Sequence, residues 1–239
     1  MSTTTAKMED AAFDRAYAAD QDALRKVYDK YADIRRLVVD DLKNNVEQVL
    51  VSFHSSPTVN SRIKKFESYY RKYLHLLKNG NENPLITDIL GIRIICPFIE
   101  DLKAVENLIR KNFEVREKEI KSHSTFKEFG YESIHLLIVI PEEIIAKRGN
   151  PETNIAEIQI RTILQEAWAE VEHELIYKAE FNPFDKLMKR KLAAVNASLS
   201  LADIIFHGIR SYQRRLSGEL GERRKSFFRK IEEATDDFL

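Results

Sequence analysis

Apolar residues recur at helical spacing through the first quarter of the chain. Leu24, Val27, Tyr31, Ile34, Val38, Leu42, Val46 and Val49 follow one another at steps of three and four, which predicts one long helix over about 11–53. His54-Ser55-Ser56-Pro57 breaks it. A second helical pattern runs over about 62–77, with Phe66, Tyr70, Tyr73 and Leu77 on its buried side, and Asn79-Gly80-Asn81 supplies helix-stop chemistry. The centre changes character. Residues 91–97, 113–120, 132–140 and 155–161 read as strands, and 101–112 as a short amphipathic helix. After Thr162 the period is helical again. One helix covers about 163–179, Pro183 interrupts, and a second covers about 185–214 with a stripe of Met188, Leu192, Val195, Leu199, Ala202, Phe206 and Ile209. Gly218 and Gly221 are expected to weaken a last helix near 223–238.

These elements predict an α+β domain: a mixed sheet of four or five strands flanked by helices. Residues 1–10 are expected to be disordered, 11–56 to form a helical extension, 57–180 the catalytic core and 181–239 a second helical extension. The extensions carry more apolar stripe than one small sheet covers, so a homo-oligomer or a tightly packed helical shell is expected.

Composition narrows the function classes. Lys plus Arg and Asp plus Glu are 38 each, so net charge argues for no polyanion or membrane partner. The single cysteine, Cys96, excludes a disulfide framework and a cysteine zinc site and is expected to be buried in its strand. The N-terminus lacks an apolar signal core, and no stretch is expected to reach the apolar length of a membrane span, which together point to a cytoplasmic protein.

The richest chemistry lies in EIQIRTILQEAWAEVEHELIY, Glu157 to Tyr177. Glu157, Gln159 and Arg161 alternate onto one face of a strand and Ile158 and Ile160 onto the other. The strand-to-helix switch places Glu157 near a cleft mouth, where a carboxylate can hold a metal ion or accept a proton. The same pattern also fits a half-buried edge strand with a solvated polar face. Asp88 precedes the strand that contains Gly91 and Arg93. An Asp and a Glu from neighbouring strand ends form a minimal oxygen site for Mg²⁺, although an Asp before a Gly is also ordinary turn chemistry. Lys64, Ser68 and Lys72 are spaced by four, so a helix would put them on one face, as a phosphate-binding stripe or as a solvated basic face. Gly130-Tyr131 opens a strand on which Tyr131, Ser133 and His135 share a face. A tyrosine there can stack on a base, and His135 can donate to a phosphate. Trp168 reads as core, while Glu172 and His173 could reach back over the sheet.

Taken together, SRIKKFESYYRK (Ser61 to Lys72), TDILGIRII (Thr87 to Ile95), FGYESIH (Phe129 to His135) and EIQIRTILQEAWAEVEHELIYK (Glu157 to Lys178) resemble, in order and spacing, the synthetase domain of the RelA/SpoT family. In size the chain is similar to the stand-alone small alarmone synthetases. The resemblance implies a nucleotidyltransferase-like mixed sheet and transfer of the β,γ-pyrophosphate of ATP to the ribose 3′-hydroxyl of GDP or GTP, giving the alarmones ppGpp and pppGpp, with Mg²⁺ as cofactor. It implies that Arg62 and Arg93 sandwich the adenine and that Lys64, Ser68 and Lys72 contact the donor phosphates. It implies that Asp88 binds the metal, and that Glu157 joins it and activates the acceptor hydroxyl. Tyr131 would stack on the acceptor guanine, with Lys127, His135, Gln159, Arg161, Glu172 and His173 around the acceptor.

The acceptor loop departs from the family pattern. In KSHSTFKEFGYESIH, Lys127, Gly130 and Tyr131 are kept, but the Asp-Tyr-Ile segment, the prolines and the asparagine are absent. This leaves a toxin-type alternative open, in which the acceptor is the 3′ end of tRNA or an adenosine nucleotide. Lys186, Lys189, Arg190 and Lys191 could supply a basic surface for tRNA or could be a solvated helix face. A catalytically silent nucleotide-binding regulator is a further possibility, against which the presence of both Asp88 and Glu157 argues. The His-Asp pair of the family's hydrolase domain is absent, so hydrolysis of alarmones by that route is not expected.

Overall fold

The computed structural model describes residues 21–81, 84–122, 132–172, 174–175 and 186–236. Residues 21–30 are helical and turn at Tyr31 into helix α1, Ala32–Leu50. The elements that follow are β1 (Thr58–Ile63), α2 (Phe66–Lys78), β2 (Leu90–Cys96), α3 (Ile99–Asn112), β3 (Val115–Ser122), β4 (Glu132–Val139), α4 (Glu142–Arg148), β5 (Ile155–Thr162), α5 (Ile163–Glu172) and α6 (Lys186–Asp236). The fold is α+β, and its five strands form one sheet in the order β1-β2-β5-β4-β3. The chain divides into two compact units. The first comprises 1–96, 102–121 and 132–161, and the second 97–101, 122–131 and 162–239.

In the first unit the sheet's core face follows from alternation. Leu90, Ile92, Ile94 and Cys96 on β2, Leu136 and Ile138 on β4, and Ala156, Ile158 and Ile160 on β5 are all fully buried. β1 runs antiparallel to β2, with Val59 opposite Ile94, and β4 antiparallel to β5, with Leu136 opposite Ile158. Helix α1 packs on β1, β2 and α4. It buries Val38, Leu42 and Val46, as its periodicity predicted, and Leu50 rather than the expected Val49, which is half-buried; Val27 is exposed because the helix turns at Tyr31 and Tyr28 takes the inward position. Arg35 is buried in α1 and bonds to Tyr28 O (3.0 Å), Pro151 O (3.2 Å) and the Glu152 carboxylate, tying α1 to the loop before β5.

Three further expectations are corrected. Residues 58–63 form strand β1, so Arg62 and Lys64 precede the second helix, which begins at Phe66. On that helix Phe66 is buried, whereas Tyr70, Tyr73 and Leu77 are only half-buried. In the second unit α6 runs unbroken through Gly208, Gly218 and Gly221. A glycine in a helix costs only about 1 kcal/mol, which the flanking helix formers offset.

Helix α6 also contains, within Arg190–Ile231, a segment long and apolar enough by length and composition to cross a bilayer, contrary to the expectation that none exists. That segment includes Asn196 and Asp203, both buried, and His207, whose Nδ1 meets Glu100 Oε2 at 2.9 Å. Only 11 % of that apolar window is buried, so apart from these polar contacts the helix keeps most of its apolar surface exposed. Arg210 forks to Glu100 (3.2 Å) and Asp101 (2.9 Å) and lies 3.9 Å over the Phe98 ring.

Candidate functional site

Two clusters in the first unit gather most of the residues singled out above. The first forms where β1 ends and β2 begins. The Lys64 N–H donates to Ile89 O at 2.9 Å, extending the β1–β2 pairing past the strand ends. This brings the Lys64 side chain to Asp88, with Nζ 2.8 Å from Oδ2. Lys72, nearly two turns into α2, places its Nζ 3.0 Å from the other oxygen, Oδ1. Asp88 and Lys64 are largely buried, at 13 % and 12 % side-chain exposure, and Lys72 is more open at 36 %. Burial pushes the Asp88 carboxyl up, but the two ammonium groups outweigh it and hold it below the usual carboxylate range. Asp88 is therefore ionised at neutral pH. Lys64 reaches the cluster from the β1–α2 connection rather than from the helix face that the spacing implied. Ser68 is half-buried on α2, one turn before Lys72.

Arg62 and Arg93 sit beside this cluster. Arg62 faces Gly91 across the β1–β2 ladder, and Asn60 faces Arg93. The two arginines therefore share a face on a diagonal of adjacent strands. Gly91 has an identifiable purpose. A Cβ there would lie 3.2 Å from Arg62 Cγ and 3.6 Å from its Nε, so the missing side chain lets Arg62 lie across the strand.

The second cluster is a buried polar chain on β4 and β5. β5 is the middle strand of the sheet and is buried along its whole length, which removes the edge-strand reading. Glu157 is 3 % exposed. Its Oε1 meets His135 Nδ1 at 2.7 Å, and its Oε2 accepts from Gln159 Nε2 at 2.6 Å. Beyond these, Ser133 Oγ meets His135 Nε2 at 2.8 Å, and Arg161 donates to Gln159 Oε1 at 2.8 Å. A buried carboxylate needs such donors. The alternation of Glu157, Gln159 and Arg161 showed that they share a face, but the bonds among them and to His135 require their burial, which one sequence does not reveal.

Several remaining residues are placed elsewhere or lie outside the described set. Glu172 ends α5 in the second unit, half-buried, and burial pushes its carboxyl up. Trp168 is buried as expected, as is Cys96. Lys127, Gly130, Tyr131 and His173 lie outside the described residues, as do the side chains of Lys186 and Lys189. Arg190 and Lys191 are exposed on α6.

The donor set bears on metal binding. Among the described residues no group of three or more His, Cys, Asp or Glu could hold a metal ion. Asp88 and Glu157 nevertheless fit magnesium chemistry. They offer hard carboxylate oxygens, and a carboxylate oxygen taking one hydrogen bond keeps a second lone pair. Mg²⁺ commonly takes one or two carboxylates and completes its shell with water and substrate phosphates. The residues suit an ion that arrives with a nucleotide.

A mixed sheet with an ionised carboxylate between two lysines beside paired arginines, and a second carboxylate buried on its middle strand, has the groups of a nucleotide-phosphate site. Comparison with known proteins agrees. The profile of the region found in RelA/SpoT proteins matches residues 61–182, just over half of the chain, and the chain belongs to the RelA/SpoT family. It is 39 % identical over 125 residues to the GTP pyrophosphokinase YwaC of Bacillus subtilis, a match covering 49 % of this chain and 57 % of that protein. It is 29 % identical over 215 residues to the GTP pyrophosphokinase YjbM of the same organism, covering 86 % of this chain and 95 % of that protein. Among solved structures, small alarmone synthetase 1 from Bacillus subtilis superposes with a TM-score of 0.63 at 28 % identity, covering 79 % of this chain and 98 % of that one. The same protein has been solved bound to its product pppGpp.

Proposed function

We propose that the chain is a GTP diphosphokinase that transfers the β,γ-pyrophosphate of ATP to the ribose 3′-hydroxyl of GDP or GTP, releasing AMP and forming ppGpp or pppGpp. The observation that carries this reading is Asp88 held between Lys64 and Lys72 at 2.8 and 3.0 Å, one ionised carboxylate and two movable ammonium groups at a single corner of the sheet. Polyphosphate binding needs these charges: cations for the phosphate oxygens and a carboxylate for the accompanying magnesium. The names of the relatives support a guanosine acceptor, and nothing in the described residues favours tRNA.

In this reading Arg62 and Arg93 grip the adenine, and Lys64, Ser68 and Lys72 turn to the donor phosphates. Asp88 and Glu157 hold Mg²⁺, which supplies neutralisation of phosphate charge. The acceptor 3′-oxygen forms a bond to the β-phosphorus while the bond from that phosphorus to the α,β-bridging oxygen breaks, and AMP leaves with that oxygen. Glu157 receives the hydroxyl proton. Positioning and charge placement dominate such transfers. Tyr131 stacks on the guanine, with Lys127, His135 and His173 near the acceptor. These substrates place the activity in the cytoplasm, where ATP and guanosine nucleotides are held. The exposed Ile205, Ile209, Leu216, Leu220 and Phe227 of α6 support a homo-oligomer, which analytical ultracentrifugation over a concentration series would establish.

The test is purified protein with Mg²⁺ and γ-labelled ATP, offered GDP, GTP, AMP or deacylated tRNA in parallel, with Asp88→Ala as control. Label on GDP or GTP supports the proposal. Label only on tRNA or AMP refutes it in favour of the toxin-type alternative.

A further inference from the structure

Glu157 and Arg161 are four positions apart on one strand, roughly 13 Å at the strand rise. Gln159 sits between them and joins both. A carboxylate only accepts hydrogen bonds and a guanidinium only donates them. An amide can face one with its N–H and the other with its oxygen. The distances of 2.6 Å from Gln159 Nε2 to Glu157 and 2.8 Å from Arg161 to Gln159 Oε1 fix the amide in that sense. From β4, His135 holds the other carboxylate oxygen at 2.7 Å and is itself held by Ser133 at 2.8 Å. The whole chain is buried: Ser133, His135, Glu157, Gln159 and Arg161 are 3 %, 4 %, 3 %, 6 % and 4 % exposed. In such surroundings linked hydrogen bonds polarise one another, and an incompletely satisfied member is costly.

Resting on the proposed pyrophosphate transfer, we infer that Gln159 and Arg161 are positioning residues for Glu157 and not ligands of the acceptor nucleotide. Arg161 acts through Gln159. The amide and His135 clamp the two carboxylate oxygens from neighbouring strands and fix the plane of the carboxylate toward the acceptor hydroxyl and the metal. A Gln159 whose oxygen and one amide hydrogen are already engaged is poorly placed to read a base or bind a phosphate. The resemblance put both residues around the acceptor. The bonding pattern gives them a different task.

The experiment compares wild type with Gln159→Leu, Arg161→Leu and the double variant, using ATP and GDP. Losing an outer partner of a reacting or metal-binding group typically costs 10–100-fold in activity. The expected result is a fall of that size in kcat for Gln159→Leu, with KM for GDP and the calorimetric Kd for GDP without ATP changed less than about threefold. The double variant should be no slower than Gln159→Leu alone, because on this inference the effect of Arg161 passes through the amide. Arg161→Lys, which keeps a donor, should recover part of the loss seen in Arg161→Leu. Thermal melts and ATP binding report folding. If the leucine variants fail to fold, Gln159→Met and Arg161→Lys make the same comparison. A tenfold rise in the GDP Kd with kcat preserved would overturn the inference, as would a double variant whose loss is the product of the single losses. Wild type inactive on every acceptor would instead refute the underlying transferase reading.

Discussion

Gly91→Val tests the donor site at one atom. A Cβ at position 91 would stand 3.2 Å from Arg62 Cγ, a few tenths of an ångström inside ordinary contact, and valine adds two methyls beyond it. The Gly91 backbone is not in the left-handed region, so the substitution brings no φ strain, and β-branched residues are favoured in strands. The folded chain should tolerate it by swinging Arg62 off the strand. An arginine stacked on an aromatic ring contributes about 0.5–2 kcal/mol. If Arg62 grips the adenine as proposed, losing that face should raise the ATP KM roughly 2–30-fold, with kcat at saturating ATP nearly unchanged. Gly91→Ala should fall between valine and wild type. Steady-state kinetics in ATP at fixed GDP, with a thermal melt for each variant, makes the measurement. Arg62→Ala should give the same loss, and Gly91→Val combined with Arg62→Ala should be no worse than either alone. Wild-type ATP affinity in a folded Gly91→Val, or additive losses in the double variant, would refute the reasoning.

Asp88→Asn should lower pyrophosphate transfer at least 100-fold and raise the Mg²⁺ concentration needed for half-maximal rate, read by magnesium titration. Because Lys64 and Lys72 together hold the Asp88 carboxyl below its ordinary range against burial, removing Lys72 should let it rise, so the activity of Lys72→Ala should fall at a higher pH than that of wild type on acidification, read from pH–rate profiles. Glu106, 1 % exposed, meets Lys103, Arg110 and Lys118 at 2.8–2.9 Å. Burial pushes its carboxyl up, but the three cations outweigh this and hold it at about 2. Its folded pKa lies below the unfolded value, so its stabilisation is present above about 4.5 and lost as pH falls toward 2. With the lysines and arginine partly exposed, Glu106→Gln should cost about 1–2 kcal/mol at pH 7 and flatten the acid limb of stability in denaturant titrations. Thr162 Oγ1 donates to buried Asp203 Oδ2 at 2.7 Å and accepts from the Gln165 N–H at 3.1 Å, and Asp203→Leu, which leaves the hydroxyl hydrogen without its acceptor, should cost about 1–3 kcal/mol in the same titration.

How much of this was written in the sequence depends on burial. Strands β2, β4 and β5 were legible because their alternate core-face positions are mostly Ile and Leu. β1 was not, because TVNSRI presents one buried residue, Val59, on an edge strand and runs into the helical pattern of α2. The loss of that strand carried a consequence for Lys64, whose i,i+4 relation to Ser68 and Lys72 suggested a shared helix face. It reaches Asp88 instead from a strand end. The unbroken α6 was hidden by Gly218 and Gly221, whose cost is too small to stop a helix with open space around both glycines. Asp88 and Glu157 could be chosen from residue type and place. That Glu157 is bonded to His135 and Gln159 could not, because cross-strand register joins residues 22 positions apart.

The most direct measurement is a ³¹P NMR time course of ATP and GDP with the protein and Mg²⁺. The account predicts that ATP is converted to AMP in equal amount to the GDP consumed, with a new pyrophosphate pair on the guanosine 3′-oxygen. ADP as the adenine product, or GDP left unchanged while ATP is consumed, would contradict it.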